Sequence, residues 1–293
     1  MLQRWKEHFS TLLNEENHRE YSEDGVPCEG PTRTVERVEV EKAMKRMKNN
    51  KAVGPDNIPV EAWKALGEEG VNTVWGLMRR IEDQEKIPEE WRESIVIPIF
   101  KEKGDVQECG NYRGIKLLSH TMKIWEKILD GRLRQEVDIS GNQFGFMPAR
   151  GTTNAIFILR QTLEKYREKQ REMHAVFIDL EKAYDRIPRQ EVWRCLRKRL
   201  VPEKYVRLTM EMHRNVKTRV KSVAGMTENF EVQVGVHQGS ALSPFLFNVV
   251  LDVVTEGVKR GVPWDIMYAD DMVLVGETRQ EVEERTEEWR VED

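Results

Sequence analysis

The stretch 264–275 constrains the fold of this chain more than any other part of the sequence. Two short apolar runs, one on each side, flank Ala269, Asp270 and Asp271. Short runs rich in Val, Ile and Tyr are typical of buried strands, and the few residues between them predict a β-hairpin. Asp270 and Asp271 would lie at its tip, where divalent cations could offset the repulsion between adjacent carboxylates. An exposed acidic turn without metal is the alternative interpretation of the same residues.

Length and charge leave room for a nucleic-acid-binding face. The chain has 293 residues, 39% of them hydrophobic, which is enough for one large core or two smaller ones. Its net charge of −4 argues against a wholly basic protein, but residues 189–221 contain eleven Lys and Arg against three Asp and Glu. Residues 277–293 reverse this balance, with eight acidic residues and three Arg. A basic middle segment is typical of a phosphate-binding face, and also of an ordinary solvated surface.

Cysteine usage and hydropathy predict an intracellular protein that does not enter a membrane. Cys28, Cys109 and Cys195 are odd in number, far apart, and form no Cys-x-x-Cys pair, which indicates a reducing compartment and no zinc site. The N-terminal segment lacks the apolar core of a signal peptide. No stretch approaches the ~18 apolar residues needed to span a bilayer.

Apolar periodicity predicts several helices and a hairpin in the first part of the chain. Residues 1–13 form an amphipathic helix whose apolar face needs a partner, and 14–31 has the composition of an acidic linker. The run 94–100 predicts a strand, and Pro98 within it predicts a position at the sheet edge. A second strand over 115–118 would pair with this run as a hairpin.

Two later segments place polar groups at the ends of regular elements. The run 175–178 is apolar at every position, which predicts a strand that is covered on both faces and ends at Asp179. A carboxylate at the end of such a strand is a common catalytic group, and a structural or capping Asp is nearly as common. Residues 237–240 form a short loop before a helix that starts near Ser243 and Pro244.

Taken in order, these segments resemble the reverse transcriptases of LINE-like (non-long-terminal-repeat) retrotransposons. The resemblance covers the chain from about residue 35 to its end. Its palm-like motifs are VFIDLEKAYD at 176–185, GVHQGSALSP at 235–244 and YADD at 268–271. Its finger-like motifs are NYRGIKLLS at 111–119 and NQFGF at 142–146, and KAVGPD at 51–56 is similar to the segment before the fingers. Each motif is weak alone, whereas five in the right order are specific.

The resemblance implies RNA-directed DNA synthesis, in which a primer 3′-hydroxyl attacks a dNTP on an RNA template. Nucleotidyl transfer of this kind uses two Mg²⁺ ions, or Mn²⁺ in their place, held by carboxylates from separate backbone segments. Asp179, Asp270 and Asp271 would be the catalytic residues and metal ligands. Asp185, although it lies in the same motif as Asp179, is interpreted as a turn or capping residue.

The same resemblance implies a nucleotide-binding set, made of Arg113, Lys101, Tyr184, Gln238 and Gly239. Arg113 would clamp the triphosphate, because a planar guanidinium donates in parallel to phosphate oxygens. Lys101 or Lys103 would assist it. Tyr184 would leave no room for a 2′-hydroxyl, and the Gln-Gly loop would form the floor under nucleotide and template. Outside the motifs, Arg113 would be a solvated loop residue and Tyr184 a core residue.

The chain departs from the usual family pattern at a few positions. Gly114 and Lys116 stand where the family more often has Pro and Ser, which we interpret as a subgroup variant. Met147 replaces a frequent Arg, while Arg150 is present. A thumb would follow the acidic helix at the end of the chain, and an endonuclease domain would lie upstream in the parent polyprotein. The apolar face of the 1–13 helix would fit a junction with that upstream domain.

The expected architecture is α/β of the α+β type: right-hand polymerase fingers and palm, with a small antiparallel palm sheet backed by helices and no thumb. We predict an N-terminal helix and acidic linker at 1–33, a helical N-terminal extension at 34–91, and fingers and palm at 92–293. The family implies a nuclear location. A non-catalytic retrotransposon remnant that folds and at most binds nucleic acid is the alternative function.

Overall fold

The computed structural model describes residues 1–15 and 25–292, which form two compact units. Unit 1 comprises Met1–Glu136 and Tyr184–Ser243, and unit 2 comprises Val137–Ala183 and Pro244–Asp293. The centre of the predicted linker, residues 16–24, lies outside the described residues. Within those residues no helix has both the length and the apolar character that a membrane crossing requires.

Helices and strands alternate along the chain. The helices are α1 (Leu2–Leu12), α2 (Arg37–Arg46), α3 (Val60–Ala65), α4 (Gly67–Gln84), α5 (His120–Glu136), α6 (Thr152–Glu168), α7 (Ala183–Arg186), α8 (Arg189–Lys198), α9 (Glu203–Glu211), α10 (Ser243–Val254) and α11 (Arg279–Glu292). The strands are β1 (Glu93–Phe100), β2 (Tyr112–Leu117), β3 (His174–Asp179), β4 (Lys217–Ser222), β5 (Gly225–Met226), β6 (Phe230–Glu231), β7 (Asp265–Tyr268) and β8 (Asp271–Gly276). This order confirms the mixed α/β class.

The sheet of unit 1 has the order β2-β1-β4-β5, with β6 paired to β4. Strands β1 and β2 form the predicted antiparallel hairpin, with Ile95 opposite Leu117. The edge position predicted from Pro98 is wrong, because β1 is central and pairs in parallel with β4 on its other side. That parallel pairing ends at Val96. Pro98 therefore lies beyond it, and its missing N–H removes no ladder hydrogen bond on the β4 side.

The apolar face of α1 is covered within unit 1. Phe9, Leu12 and Leu13 are buried in one cluster with residues of β1, β4 and β6. The ring of Trp5 also packs edge-on against Tyr112 of β2, with 4.9 Å between the ring centroids. The interpretation of α1 as a helix with an unmatched face is therefore wrong. Its partner surface is assembled from strands that are distant in sequence, which periodicity alone could not reveal.

The sheet of unit 2 has the order β3-β8-β7, and both pairings are antiparallel. Strands β7 and β8 form the predicted hairpin, whose two-residue turn consists of Ala269 and Asp270. Helix α11 buries Val282 and Trp289. This small antiparallel sheet with its helices is the arrangement expected of the palm.

Strand β3 is not covered on both faces, contrary to the prediction from its continuous apolar run. Its side chains alternate between half-buried and exposed, and Phe177 is 71% exposed. Because side chains alternate across a strand, Phe177 and Asp179 share the exposed face. The strand ending in Asp179 thus has one open face that leads to the carboxylate.

Candidate active site

Two of the three predicted carboxylates lie opposite each other in the sheet of unit 2. Asp179, the last residue of β3, is the direct register partner of Asp271, the first residue of β8. Asp270 immediately precedes Asp271 in the β7–β8 turn, and its backbone carbonyl accepts a hydrogen bond of 3.2 Å from the N–H of Leu180. Directly opposed residues have Cβ atoms about 4.5–5.5 Å apart, and like charges there destabilise a sheet. The arrangement therefore favours a cation between the two side chains.

The donor set fits a magnesium ion that is only partly held by protein. Among the described residues, no group of three or more His, Cys, Asp and Glu side chains is arranged to hold a metal. Asp179 and Asp271 nevertheless supply a pair of exposed carboxylates. Mg²⁺ commonly takes one or two carboxylates from a protein and completes its octahedron with water and phosphate oxygens. The pair suits that mode of binding.

The turn between β7 and β8 is supported by the 142–146 segment. Ala269 has a positive φ of 58°, an uncommon conformation for a residue with a side chain. Its N–H donates to the Oε1 of Gln143 at 3.0 Å. Gly145 lies so close that a Cβ on it would be 2.4 Å from the nitrogen of Ala269. The motif that resembles a finger segment therefore contacts the turn directly within unit 2.

The opposite end of the hairpin is fastened by a buried ion pair. Arg285 of α11 donates to Asp265 of β7 at 2.6 Å, and both side chains are almost completely buried. The same guanidinium donates to the carbonyls of Trp264 and Val275, which belong to the two arms of the hairpin. Asp265 also accepts a hydrogen bond from Asn142 at 2.9 Å. These contacts join α11, both strands and the 142–146 segment.

An apolar groove of about 310 Å³ lies beside the carboxylates in unit 2. Its lining includes Ile156 and Leu159 of α6, Phe177 of β3, and the two carboxylates Asp179 and Asp271. Ile156 is 65% exposed. The site thus combines an acidic edge with an open apolar floor.

The predicted nucleotide-binding residues all belong to unit 1. Arg113 is exposed on β2, opposite Ile99 of β1. Lys101 continues the same ladder, because its N–H donates to the carbonyl of Asn111 at 2.9 Å. Arg113 and its register partner Ile99 share a face of the hairpin. Lys101 is two residues beyond Ile99, and residues two apart along a strand share a face, so Lys101 lies on the same face as Arg113. Lys103 is also exposed, in the loop beyond the ladder.

The loop with Gln238 and Gly239 is held against the edge of β2 that does not pair with β1. The N–H of Lys116 donates to the carbonyl of Gln238 at 2.9 Å. Gly239 has a φ of 108°, and a Cβ there would be 2.6 Å from the carbonyl oxygen of Lys116. Tyr184 supports the start of this loop, because its carbonyl accepts the N–H of Val236 at 2.9 Å. Tyr184, Gln238 and Gly239 therefore lie on connected backbone segments.

A buried basic cluster lies next to this loop. Its members are Lys116, Arg189, His213 and His237, with Asp185 as the nearby acidic group. Burial lowers the pKa of Lys116 to about 8, whereas the charge of Asp185 acts to raise it. Burial, together with Arg189, also lowers the pKa of His213 to about 3. Both histidines are therefore neutral at physiological pH, and their rings contact each other with centroids 4.8 Å apart.

Several supporting residues escaped sequence reasoning. Glu126 of α5 is buried and accepts the N–H of Ala241 at 2.8 Å, which anchors the residues after the Gln-Gly loop. Asp185, interpreted as a turn or capping residue, lies in the short helix α7 and interacts electrostatically with Lys116. Gln143 was visible only as one letter of a motif. The departure at Lys116 was the one available signal, because a Lys on the buried face of a strand demands an explanation.

Part of the basic stretch 189–221 is engaged in ion pairs inside unit 1. Arg197 pairs with Glu203, and Arg207 pairs with Glu85 at 2.6 Å. Arg189 donates to the carbonyls of Gly235 and His213. At least these three arginines of the basic stretch therefore have a structural role.

A hairpin with opposed carboxylates, a supporting Gln-Phe-Gly segment and a Gln-Gly loop are the features that the sequence led us to expect of a polymerase of the reverse transcriptase class. The profile of the family described as reverse transcriptase (RNA-dependent DNA polymerase) matches residues 99–291. The chain belongs to this family, and the predicted membership is confirmed.

The relatives are proteins of non-long-terminal-repeat retrotransposons. The Retrovirus-related Pol polyprotein from type-1 retrotransposable element R2 of Nasonia vitripennis is 27% identical, over 78% of this chain and 23% of that protein. The probable RNA-directed DNA polymerase from transposon X-element of Drosophila melanogaster is 26% identical, over 82% of this chain and 27% of that protein. Among solved structures, this chain is similar to an apo telomerase from Candida tropicalis that is truncated from its C-terminal domain. The match covers 79% of this chain and 51% of the telomerase chain, with a TM-score of 0.49 and 11% identity. The chain spans about a quarter of the length of these two relatives.

Proposed function

We propose that this chain is the catalytic core of an RNA-directed DNA polymerase, which extends a DNA primer with dNTPs on an RNA template. The observation that carries the proposal is the pairing of Asp179 with Asp271 across β3 and β8, at the turn that holds Asp270. Family membership supports it, since residues 99–291 match reverse transcriptases. Nucleotidyl transfer is the reaction class of that family.

The chain's own residues would divide the work between metal binding and substrate binding. Asp179, Asp270 and Asp271 would hold two Mg²⁺ ions, or Mn²⁺ in their place. Bound there, such ions would activate the attacking hydroxyl and stabilise the leaving pyrophosphate. Arg113 and Lys101 would bind the triphosphate from one face of the β1–β2 hairpin.

The remaining predicted residues would shape the nucleotide site. Tyr184 would exclude a 2′-hydroxyl, while Gln238 and Gly239 would support nucleotide and template. Gly239 suits this role because its positive φ and its close approach to Lys116 leave no space for a side chain. The parent polyprotein would add thumb and endonuclease domains and would act in the nucleus. Within the present chain, we propose an N-terminal helix and linker at 1–33, a helical extension at 34–91, and fingers and palm at 92–293.

Primer extension with an RNA template, dNTPs and Mg²⁺ tests the proposal. Wild type is compared with the double variant Asp270→Asn, Asp271→Asn and with Asp179→Asn. Removing carboxylates from the site should abolish extension. Asp138→Asn is the matched control, because Asp138 is an exposed acid of unit 2 outside the site, and it should extend like wild type. A folded wild-type chain that extends no primer would favour the non-catalytic remnant.

A further inference from the structure

The buried side chain of Gln143 contacts the turn that carries Asp270 and Asp271. Gln143 is 1% exposed, and its Oε1 accepts two backbone N–H groups. One comes from Gly145 at 2.8 Å and the other from Ala269 at 3.0 Å. A single amide oxygen therefore joins the 142–146 segment to the residue that immediately precedes Asp270.

The segment that carries this amide oxygen is held in place by hydrogen bonds to its neighbours within unit 2. The N–H of Phe144 donates to the carbonyl of Met267 at 2.8 Å, and the N–H of Met267 donates to Asn142, also at 2.8 Å. Asn248 of α10 donates to the carbonyl of Gly145 at 2.8 Å. The segment is thus tied to strand β7 on one side and to a helix on the other.

The conformation of Ala269 requires such support. Its positive φ of 58° is one that residues with a Cβ rarely adopt, and conformations of this kind persist only when the surroundings enforce them. Ala269 is 3% exposed, so its N–H would be left unsatisfied without Gln143. The backbone direction at Ala269 in turn determines where the next two residues place their carboxylates.

We infer that Gln143 is a positioning residue for the metal-binding carboxylates, which acts by fixing Ala269 at the head of the turn. The role of the metal in this inference rests on the proposed function, whereas the effect on Ala269 does not. Groups that orient metal ligands from behind typically change metal affinity or activity by about 10–100-fold when they are lost. Gln143 would belong to that class of groups.

The test uses two substitutions with opposite effects on the acceptor. Gln143→Met has a similar shape but no hydrogen-bond acceptor, whereas Gln143→Glu retains oxygens that can accept both N–H groups. Three quantities are measured on the whole chain: hydrogen exchange at the Ala269 amide, Mn²⁺ affinity by electron paramagnetic resonance without nucleic acid, and kcat and KM for dNTP in primer extension. In the Met variant the amide hydrogen of Ala269 should exchange faster. The variant should also bind Mn²⁺ about 10–100-fold more weakly and have a lower kcat with little change in KM. The Glu variant should keep the protection of Ala269.

Two controls separate positioning from general loss of stability. Gln161→Met makes the same substitution on α6, where the Gln161 amide donates to Glu164 of the same helix, and it should behave like wild type. Val282→Ala removes buried apolar contact in α11, so it should lower the melting temperature while leaving Ala269 exchange and Mn²⁺ affinity unchanged.

The inference would be overturned if Gln143→Met kept the Mn²⁺ affinity and the kcat of wild type. It would also be overturned if Val282→Ala lost as much Mn²⁺ affinity and kcat as Gln143→Met does. The proposed function fails in a different way, namely if wild type extends no primer and Asp179→Asn does not change Mn²⁺ binding. In that case, faster exchange of Ala269 in the Met variant alone would still support the fixing of the turn by Gln143.

Discussion

Lys116 carries a buried ammonium group beside the Gln238–Gly239 loop. Its side chain is 2% exposed, and within the described residues its Nζ makes no hydrogen bond. Burial lowers its pKa to about 8, with Asp185 acting in the opposite direction and Arg189 in the same one. The charged form is therefore less stable in the folded chain than in the unfolded chain.

This pKa predicts how stability changes in the alkaline range. Below about pH 8 the folded and unfolded chains both bind the proton. Between there and about pH 10.4, the ordinary lysine pKa, the unfolded chain binds more protons, so the free energy of unfolding rises with pH. Lys116→Met should lose this rise. Denaturant unfolding at pH 7 and pH 10 should show the difference between wild type and variant change by on the order of 2–3 kcal/mol in favour of wild type.

Lys101→Met, at an exposed lysine, is the control. Between pH 7 and pH 10 its free energy of unfolding should change by the same amount as that of wild type. A pH-independent difference between wild type and Lys116→Met would contradict the lowered pKa. The comparison between variants removes the contribution of titrating groups that do not interact with Lys116.

At the same scale, the sequence predicts the position of the opposed carboxylates better than that of the residues packed behind them. Asp179 and Asp271 could be found because each lies at the end of an apolar run. Gln143 and Lys116 could not, because their roles depend on which backbone group a folded neighbour presents. Spacing along the chain contains no information about the N–H of Ala269 or the carbonyl of Gln238.

At the scale of elements, the Arg285–Asp265 pair joins α11 to the hairpin. Replacing Arg285 with Met would leave the buried carboxylate of Asp265 without its countercharge, and breaking a buried pair in this way costs about 3–5 kcal/mol. Removing both charges with Asp265→Asn, Arg285→Met should cost less than the sum of the single changes, because the groups are in contact. Denaturant unfolding of the four proteins measures this coupling.

Arg279→Met provides the control on the same helix. Arg279 forms an exposed pair with Glu283 one turn away, and such pairs contribute little to stability. Additive effects of Asp265→Asn and Arg285→Met would show that the pair does not act as a unit.

Element type was predictable where the pattern was local, and element environment was not. The β1–β2 hairpin follows from two successive apolar runs, and the β7–β8 hairpin follows from two such runs with only a two-residue turn between them. The central position of β1 depends on a parallel pairing with β4, more than a hundred residues later in the chain. The exposed face of β3 likewise depends on which helices pack against its sheet.

At the scale of the whole chain, each unit is assembled from two stretches separated by the other unit's sequence. Long-range pairing of this kind explains why the partner of α1 could not be identified from the sequence. It also explains Gly114, one of the departures from the family pattern. Gly114 lies on β2 where a Cβ would be 2.5 Å from the ring of Phe9.

This contact predicts that Phe9 and Gly114 are coupled in stability. Phe9→Ala should lower the free energy of unfolding by about 3–5 kcal/mol, because it removes a buried ring from the core of unit 1. Gly114→Ala in wild type should cost about 1–3 kcal/mol, since the added methyl overlaps that ring. In the Phe9→Ala background the same methyl enters the space that the ring has left, so its cost should fall to near zero. A double-mutant cycle by denaturant unfolding measures the difference, and strictly additive effects would contradict the packing of α1 against β2.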